Sequence, residues 1–106
     1  MSSKINGANY KDLNVNEIDS IVEDLALIDI REPDEYNRGH LPSAKNIPMK
    51  QLIEFADDYL DKSKEYHIVC HSGGRSARIC RFLASSGFNV VNLAGGTMEY
   101  KGKIIK

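Results

Sequence analysis

No stretch of this 106-residue chain approaches the roughly 18 consecutive apolar residues that a membrane-spanning helix requires. The first residues, Met1-Ser2-Ser3-Lys4-Ile5-Asn6-Gly7, lack the apolar core of a secretory signal. Cysteine is scarce: Cys70 and Cys80 do not make a disulfide framework. Free thiols in a reducing, cytoplasmic setting are the expectation. Neither sign of charge is in excess. Fourteen Lys and Arg against fifteen Asp and Glu leave a formal net charge of −1, so bulk electrostatics give no reason to expect nucleic acid or an acidic membrane as partner. Histidine occurs three times, with nothing in its placement to suggest a metal site.

What is present is ordinary for a soluble globular protein, with 42% apolar and 27% charged residues. A chain of this length buries roughly 65% of its unfolded surface. One domain over residues 9–106 is therefore expected, after a loose polar lead-in at residues 1–8.

Along the chain, Tyr10-Lys11-Asp12-Leu13 reads as a short edge strand. Asn14, three residues before Glu17, marks a capping-box-like helix start, and Val15, Ile18, Ile21 and Val22 give that helix one apolar face. Leu25-Ala26-Leu27-Ile28-Asp29-Ile30 is nearly continuous in apolar character, as in a strand covered on both faces. Pro33 suits a first helical position with acids around it, and Gly39 ends that helix. Ala44-Lys45-Asn46-Ile47 is a short strand stopped by Pro48. From Lys50 to Leu60, helical spacing turns Leu52, Phe55, Ala56, Tyr59 and Leu60 inward, with Asp57 and Asp58 on the wet side.

A strand over 66–70, a loop over 70–75 and a helix from about Ser76 follow, the helix packing Ala77, Cys80, Leu83 and Ala84 and stopping at Gly87. Asn89-Val90-Val91-Asn92-Leu93 is the last strand, before Ala94-Gly95-Gly96 and a short helix with Met98 and Tyr100. Such alternation predicts an α/β fold, a mostly parallel sheet flanked by helices on both faces. Ligands of such sheets bind beyond the carboxyl ends of the strands. Asp29-Ile30-Arg31, Cys70 with its loop, and Ala94-Gly95-Gly96 are expected on that one rim.

The chemistry centres on Cys70-His71-Ser72-Gly73-Gly74-Arg75. A free cysteine at a strand end is commonly just a small buried residue. Here Gly73 and Gly74 let the loop curl with its N–H groups toward one centre, and the following helix adds its positive end. Neither feature is needed to bury an inert thiol; both stabilise a thiolate, the nucleophilic form. Arg75 is placed either to grip an oxyanion or to brace the loop. His71 is adjacent, but no side chain is positioned as an obvious general base, and a thiolate held this way needs none. On these grounds alone the loop is an anion cradle open to several reactions.

Three segments resemble the single-domain rhodaneses, the thiosulfate sulfurtransferase family, over nearly the whole chain. They are Leu27 to Tyr36 with Gly39 to Pro48, Ile68 to Ser76, and Asn92 to Tyr100. Tyr100 stands where the family usually has tryptophan, which this chain lacks altogether. Cysteine phosphatases separate their cysteine and arginine by five residues; here only four lie between Cys70 and Arg75. The resemblance implies transfer of a sulfane sulfur from a small anion such as thiosulfate, through a persulfide on Cys70, to cyanide, a thiol or a protein acceptor, with no cofactor. It implies that backbone N–H groups of residues 71–75 hold the persulfide and that Arg75 supports the loop or the donor's sulfonate. A non-catalytic rhodanese-like binding or regulatory module is the alternative, and a cysteine phosphatase or arsenate reductase a more distant one.

Arg31 lies on the same rim and has two readings, anion binding and an internal ion pair, of which the second is preferred. Asp29 is expected to anchor loop N–H groups rather than act as an acid. His40 is assigned a structural hydrogen bond, His67 a place in the strand, and Cys80 core packing.

Overall fold

The apolar strand stretches alternate between two separate clusters, so the sheet is buried on both faces. The computed structural model describes residues 4–5, 10–20 and 26–106. Strands β1 (Lys4–Ile5), β2 (Lys11–Asn14), β3 (Leu27–Asp29), β4 (Lys45–Asn46), β5 (Glu65–Val69) and β6 (Asn89–Ala94) form one sheet in the order β1-β2-β6-β5-β3-β4. β1 pairs antiparallel with β2; every other neighbouring pair is parallel.

Helices cover both faces. Against one lie α2 (Met49–Glu54), α3 (Ala56–Tyr59) and α4 (Gly74–Ser85), burying Leu52, Ile79, Cys80 and Leu83 on Ile28, Ile68 and Val90. The opposite face packs Leu27, Val69, Val91 and Leu93 beneath a 3₁₀ helix (Val15–Ser20), with Tyr36 of α1 (Pro33–Arg38) and Tyr100, which follows α5 (Gly96–Glu99). This is the α/β arrangement expected from the sequence. Among the described residues no helix is long and apolar enough to cross a membrane.

Several local expectations are corrected. β2 is not an edge strand, because Lys4 and Ile5 pair along its outer side. After it comes a 3₁₀ helix, and Asn14 Oδ1 accepts from the N–H of Asn16, a tight local turn. Of the predicted apolar face there, Val15 and Ile18 are buried, while Ile21 and Val22, like Leu25 of the next strand, lie outside the described residues.

The single helix expected over 50–60 is broken at Phe55, whose backbone (φ −123°, ψ 36°) leaves the helical region. That break rotates the second half. Leu52 and Leu60 stay buried, but Phe55 and Tyr59, expected inside, are 48% and 40% exposed. Helix α4 starts at Gly74 rather than Ser76, so Gly74 and Arg75 belong to its first turn. Its far end closes as a Schellman motif: Gly87 N–H donates to Ala84 O and Phe88 N–H to Leu83 O, with Phe88 and Leu83 in the same cluster.

Leu83 is fully buried between α4 and the sheet. Leu83→Ala is expected to lower unfolding stability by about 2–5 kcal/mol, read from the urea midpoint at constant slope.

Candidate active site

Strand β5 ends at Val69, whose carbonyl accepts from the N–H of Ile30 beyond β3. Cys70 follows, 1% exposed at the carboxyl edge of the sheet. The chain then reverses into α4 through Gly73, whose φ of +101° is a conformation L side chains rarely adopt. The turn brings the N–H of Gly73 to 3.1 Å and that of Ser76 to 3.3 Å from Cys70 Sγ. Both aim positive charge at the sulfur, at the positive end of a 12-residue helix. The Ser76 hydroxyl lies 3.3 Å from the same atom. Its Oγ donates to Asn92 Oδ1 of β6, and Asn92 Nδ2 donates to Asp12 Oδ1 of β2 at 2.9 Å.

Turning N–H groups toward sulfur turns carbonyls outward, and these are met by α5. Thr97 N–H donates to Cys70 O at 2.9 Å and Met98 N–H to His71 O at 2.8 Å. Gly96 is required for this approach, because a Cβ there would press into both carbonyl oxygens. The exit of α5 is held by Asn16, whose amide donates to Glu99 O and accepts from Lys101 N–H.

Two arginine–carboxylate pairs complete the rim. Arg31 is 5% exposed and Asp29 is fully buried. Arg31 Nη2 lies 2.8 Å from Asp29 Oδ2 and also donates to Gly39 O at 2.7 Å, while the Arg31 N–H donates to Asp29 Oδ1. This is the internal ion pair, with Asp29 anchoring a loop N–H. Arg75 donates from both terminal nitrogens to the two oxygens of Glu35, at 2.9 and 3.0 Å. Glu35 also accepts from Glu32 N–H and so caps α1. Hydrogen bonding to Arg75 outweighs partial burial and holds the Glu35 carboxyl down at about 2. Between these pairs and α5 opens a cavity of about 390 Å³, lined in part by Arg31, Glu35, His71, Thr97 and Met98.

A buried sulfur between backbone donors at a helix start, beside a cavity that His71 lines, is the arrangement to compare with known proteins. Residues 14–103 match the family model of the rhodanese-like domain. The chain belongs to the rhodanese-like family. It is 43% identical over 81 residues to YtwF of Bacillus subtilis, provisionally named a sulfurtransferase, covering 76% of this chain and 78% of that one. Identity to the thiosulfate sulfurtransferase PspE of Escherichia coli is 34% over 73 residues, covering 68% and 70% of the two chains. A crystal structure of a rhodanese-like domain protein from Staphylococcus aureus superposes with a TM-score of 0.76 at 30% identity, over 90% of this chain and 97% of that one.

In this rhodanese-like domain the three segments expected on one rim do meet there, through the Ile30–Val69, Thr97–Cys70 and Met98–His71 bonds. Within the loop, His71, Ser72 and Gly74 are exposed, and of residues 71–75 it is Gly73 whose N–H reaches Sγ. Sequence reasoning missed Glu35 as the partner of Arg75, Ser76 as a donor, and Asn92 and Asp12 behind it. Glu35 left a faint signal as an acid three residues after Glu32 at a helix start. The others left none, since their contacts cross between elements. His40 Nδ1 lies 3.1 Å from Tyr36 O with the two rings stacked, and Cys80 sits fully buried in the core, where burial pushes its thiol far up. His67 is likewise buried in β5, and burial holds its imidazole down.

The folded carboxyl of Glu35 ionises lower than the unfolded one, so its contribution to stability is complete above the ordinary carboxylate range and fades as pH falls toward about 2. Urea titrations between about pH 5 and pH 2 should show Glu35→Gln less stable than wild type at the upper end, with the gap closing toward the lower.

Proposed function

We propose that this domain is a sulfurtransferase in which Cys70 carries a sulfane sulfur as a persulfide. The reading is carried by one observation: a buried cysteine sulfur receives N–H groups from Gly73 and Ser76 at the start of α4, and the next residue, His71, lines an open cavity. Those donors stabilise negative charge on sulfur without a neighbouring base. The names of the relatives support the chemistry, and that of PspE supports thiosulfate as donor.

The thiolate of Cys70 attacks the outer sulfur of thiosulfate. The donor's S–S bond breaks, its electron pair leaves with sulfite, and Cys70 holds the outer sulfur as Cys–S–S⁻. A nucleophilic acceptor, cyanide in an assay or a thiol on a small molecule or protein, attacks that outer sulfur. The new S–S bond breaks, and the thiolate of Cys70 is regenerated. No external oxidant or reductant enters. Arg75, committed to Glu35 by both terminal nitrogens, serves in this reading to fix the loop rather than to grip the donor. Arg31, committed to Asp29, is likewise structural.

Intact mass after incubation with thiosulfate is expected to rise by about 32 Da, to fall back on cyanide addition with release of thiocyanate, and to stay unchanged in Cys70→Ser. Cys80→Ala should keep the adduct. A wild-type protein that takes no sulfur from thiosulfate or another sulfane donor, yet binds a defined protein partner, would belong to the binding-module reading.

A further inference from the structure

Behind the sulfur, a line of polar groups leads from the site into the sheet. Ser76 is fully buried and Asn92 is 4% exposed. The Ser76 hydroxyl has one hydrogen and three neighbours that compete for it. These are Asn92 Oδ1, which is closest, Gly73 O at 3.2 Å, and Cys70 Sγ at 3.3 Å.

The competition is decided from the far end. Asp12 faces Asn92 across the β2–β6 pairing, with Oδ1 2.9 Å from Asn92 Nδ2. A carboxylate only accepts, so the amide nitrogen must point at Asp12 and the amide oxygen at Ser76. That oxygen also only accepts, so the Ser76 hydroxyl donates to it. What Ser76 then offers Cys70 is a lone pair. A lone pair suits a thiol, whose S–H donates to it, and opposes a thiolate, which needs donors.

We propose that Asp12 is a positioning residue: through Asn92 it keeps the Ser76 hydrogen away from Cys70 Sγ, so that the sulfur is met by the two N–H groups and not by the hydroxyl hydrogen. The proposal deepens the sulfurtransferase reading and rests on Cys70 being its nucleophile. A hydroxyl that swung from Asn92 to sulfur would leave an amide oxygen in the core without its donor. The other groups that couple to the charge on sulfur are Arg75, itself paired with Glu35, and Cys80, both from α4; Asp29 acts on Arg75, and Asp12 on Cys80. His71 is next in the chain and exposed.

Ultraviolet thiolate absorbance followed against pH in a Cys80→Ala background reports Cys70 alone, with no sulfur donor present. Asn92→Leu removes the acceptor. Asp12→Asn, at a partly exposed position, lets the Asn92 amide turn over and donate to Ser76. Each is expected to lower the midpoint by about one pH unit, roughly a tenfold rise in thiolate below it. In a Ser76→Ala background neither substitution should move the midpoint further. Unchanged midpoints overturn the proposal. So does a shift that survives Ser76→Ala, which would assign the effect of Asp12 to its charge. If Asn92→Leu does not fold, Asp12→Asn with its Ser76→Ala control decides alone. Failure of the wild type to form a persulfide would count against the proposed reaction without altering these midpoints.

Discussion

The rim depends on the carbonyls of Cys70 and His71 having donors. A loop that aims N–H groups at a sulfur necessarily aims carbonyls elsewhere, and buried carbonyls without partners are costly. Here the first turn of α5 supplies the partners, Thr97 and Met98. The loop's conformation is thus maintained by a segment some 25 residues later in the chain, and Gly96 is what lets that segment come close enough. Sulfur geometry and the seating of α5 are one arrangement.

Charge at the rim is abundant but engaged. Arg31 and Arg75 are the cations a reader of the sequence would assign to an anionic substrate, yet each is held by a carboxylate from its own neighbourhood in the fold. The Arg31–Asp29 pair is buried, so removing one partner would strand a charge and cost about 3–5 kcal/mol. Arg75–Glu35 joins α1 to α4 and caps α1 with the same carboxylate. What remains to favour an anion at the sulfur is mainly backbone: N–H groups that neither titrate nor rotate away.

Much of the fold was legible because the chain's periodicities are clean. The buried strands, Pro33 at the head of α1, and Gly87 closing α4 follow from local rules that the tertiary structure does not override. Where reading failed, something non-local or finer than periodicity decided. Phe55 and Tyr59 have the spacing of a buried helical face, but a kink at Phe55 re-aims them. Asn14 carried a cap signal that served a 3₁₀ turn instead. The turn that follows Cys70 was legible from its glycines and the helix after it. The partners of Arg75 and Ser76 were not, because separations of 40 and 16 residues leave no trace in local pattern.

Those separations bear on how the protein acquires its site. The groups around the sulfur come from β2, the loop at 70–76, β6 and α5, brought together by parallel pairings that close long loops and by the bonds of Thr97 and Met98 to the loop carbonyls. Pairings of high sequence separation form slowly, after local turns and helices. During folding, Cys70 is therefore an ordinary cysteine for as long as β6 and α5 are undocked. Its special environment arrives last, with native topology, so partly folded or truncated chains carry the thiol without the cradle.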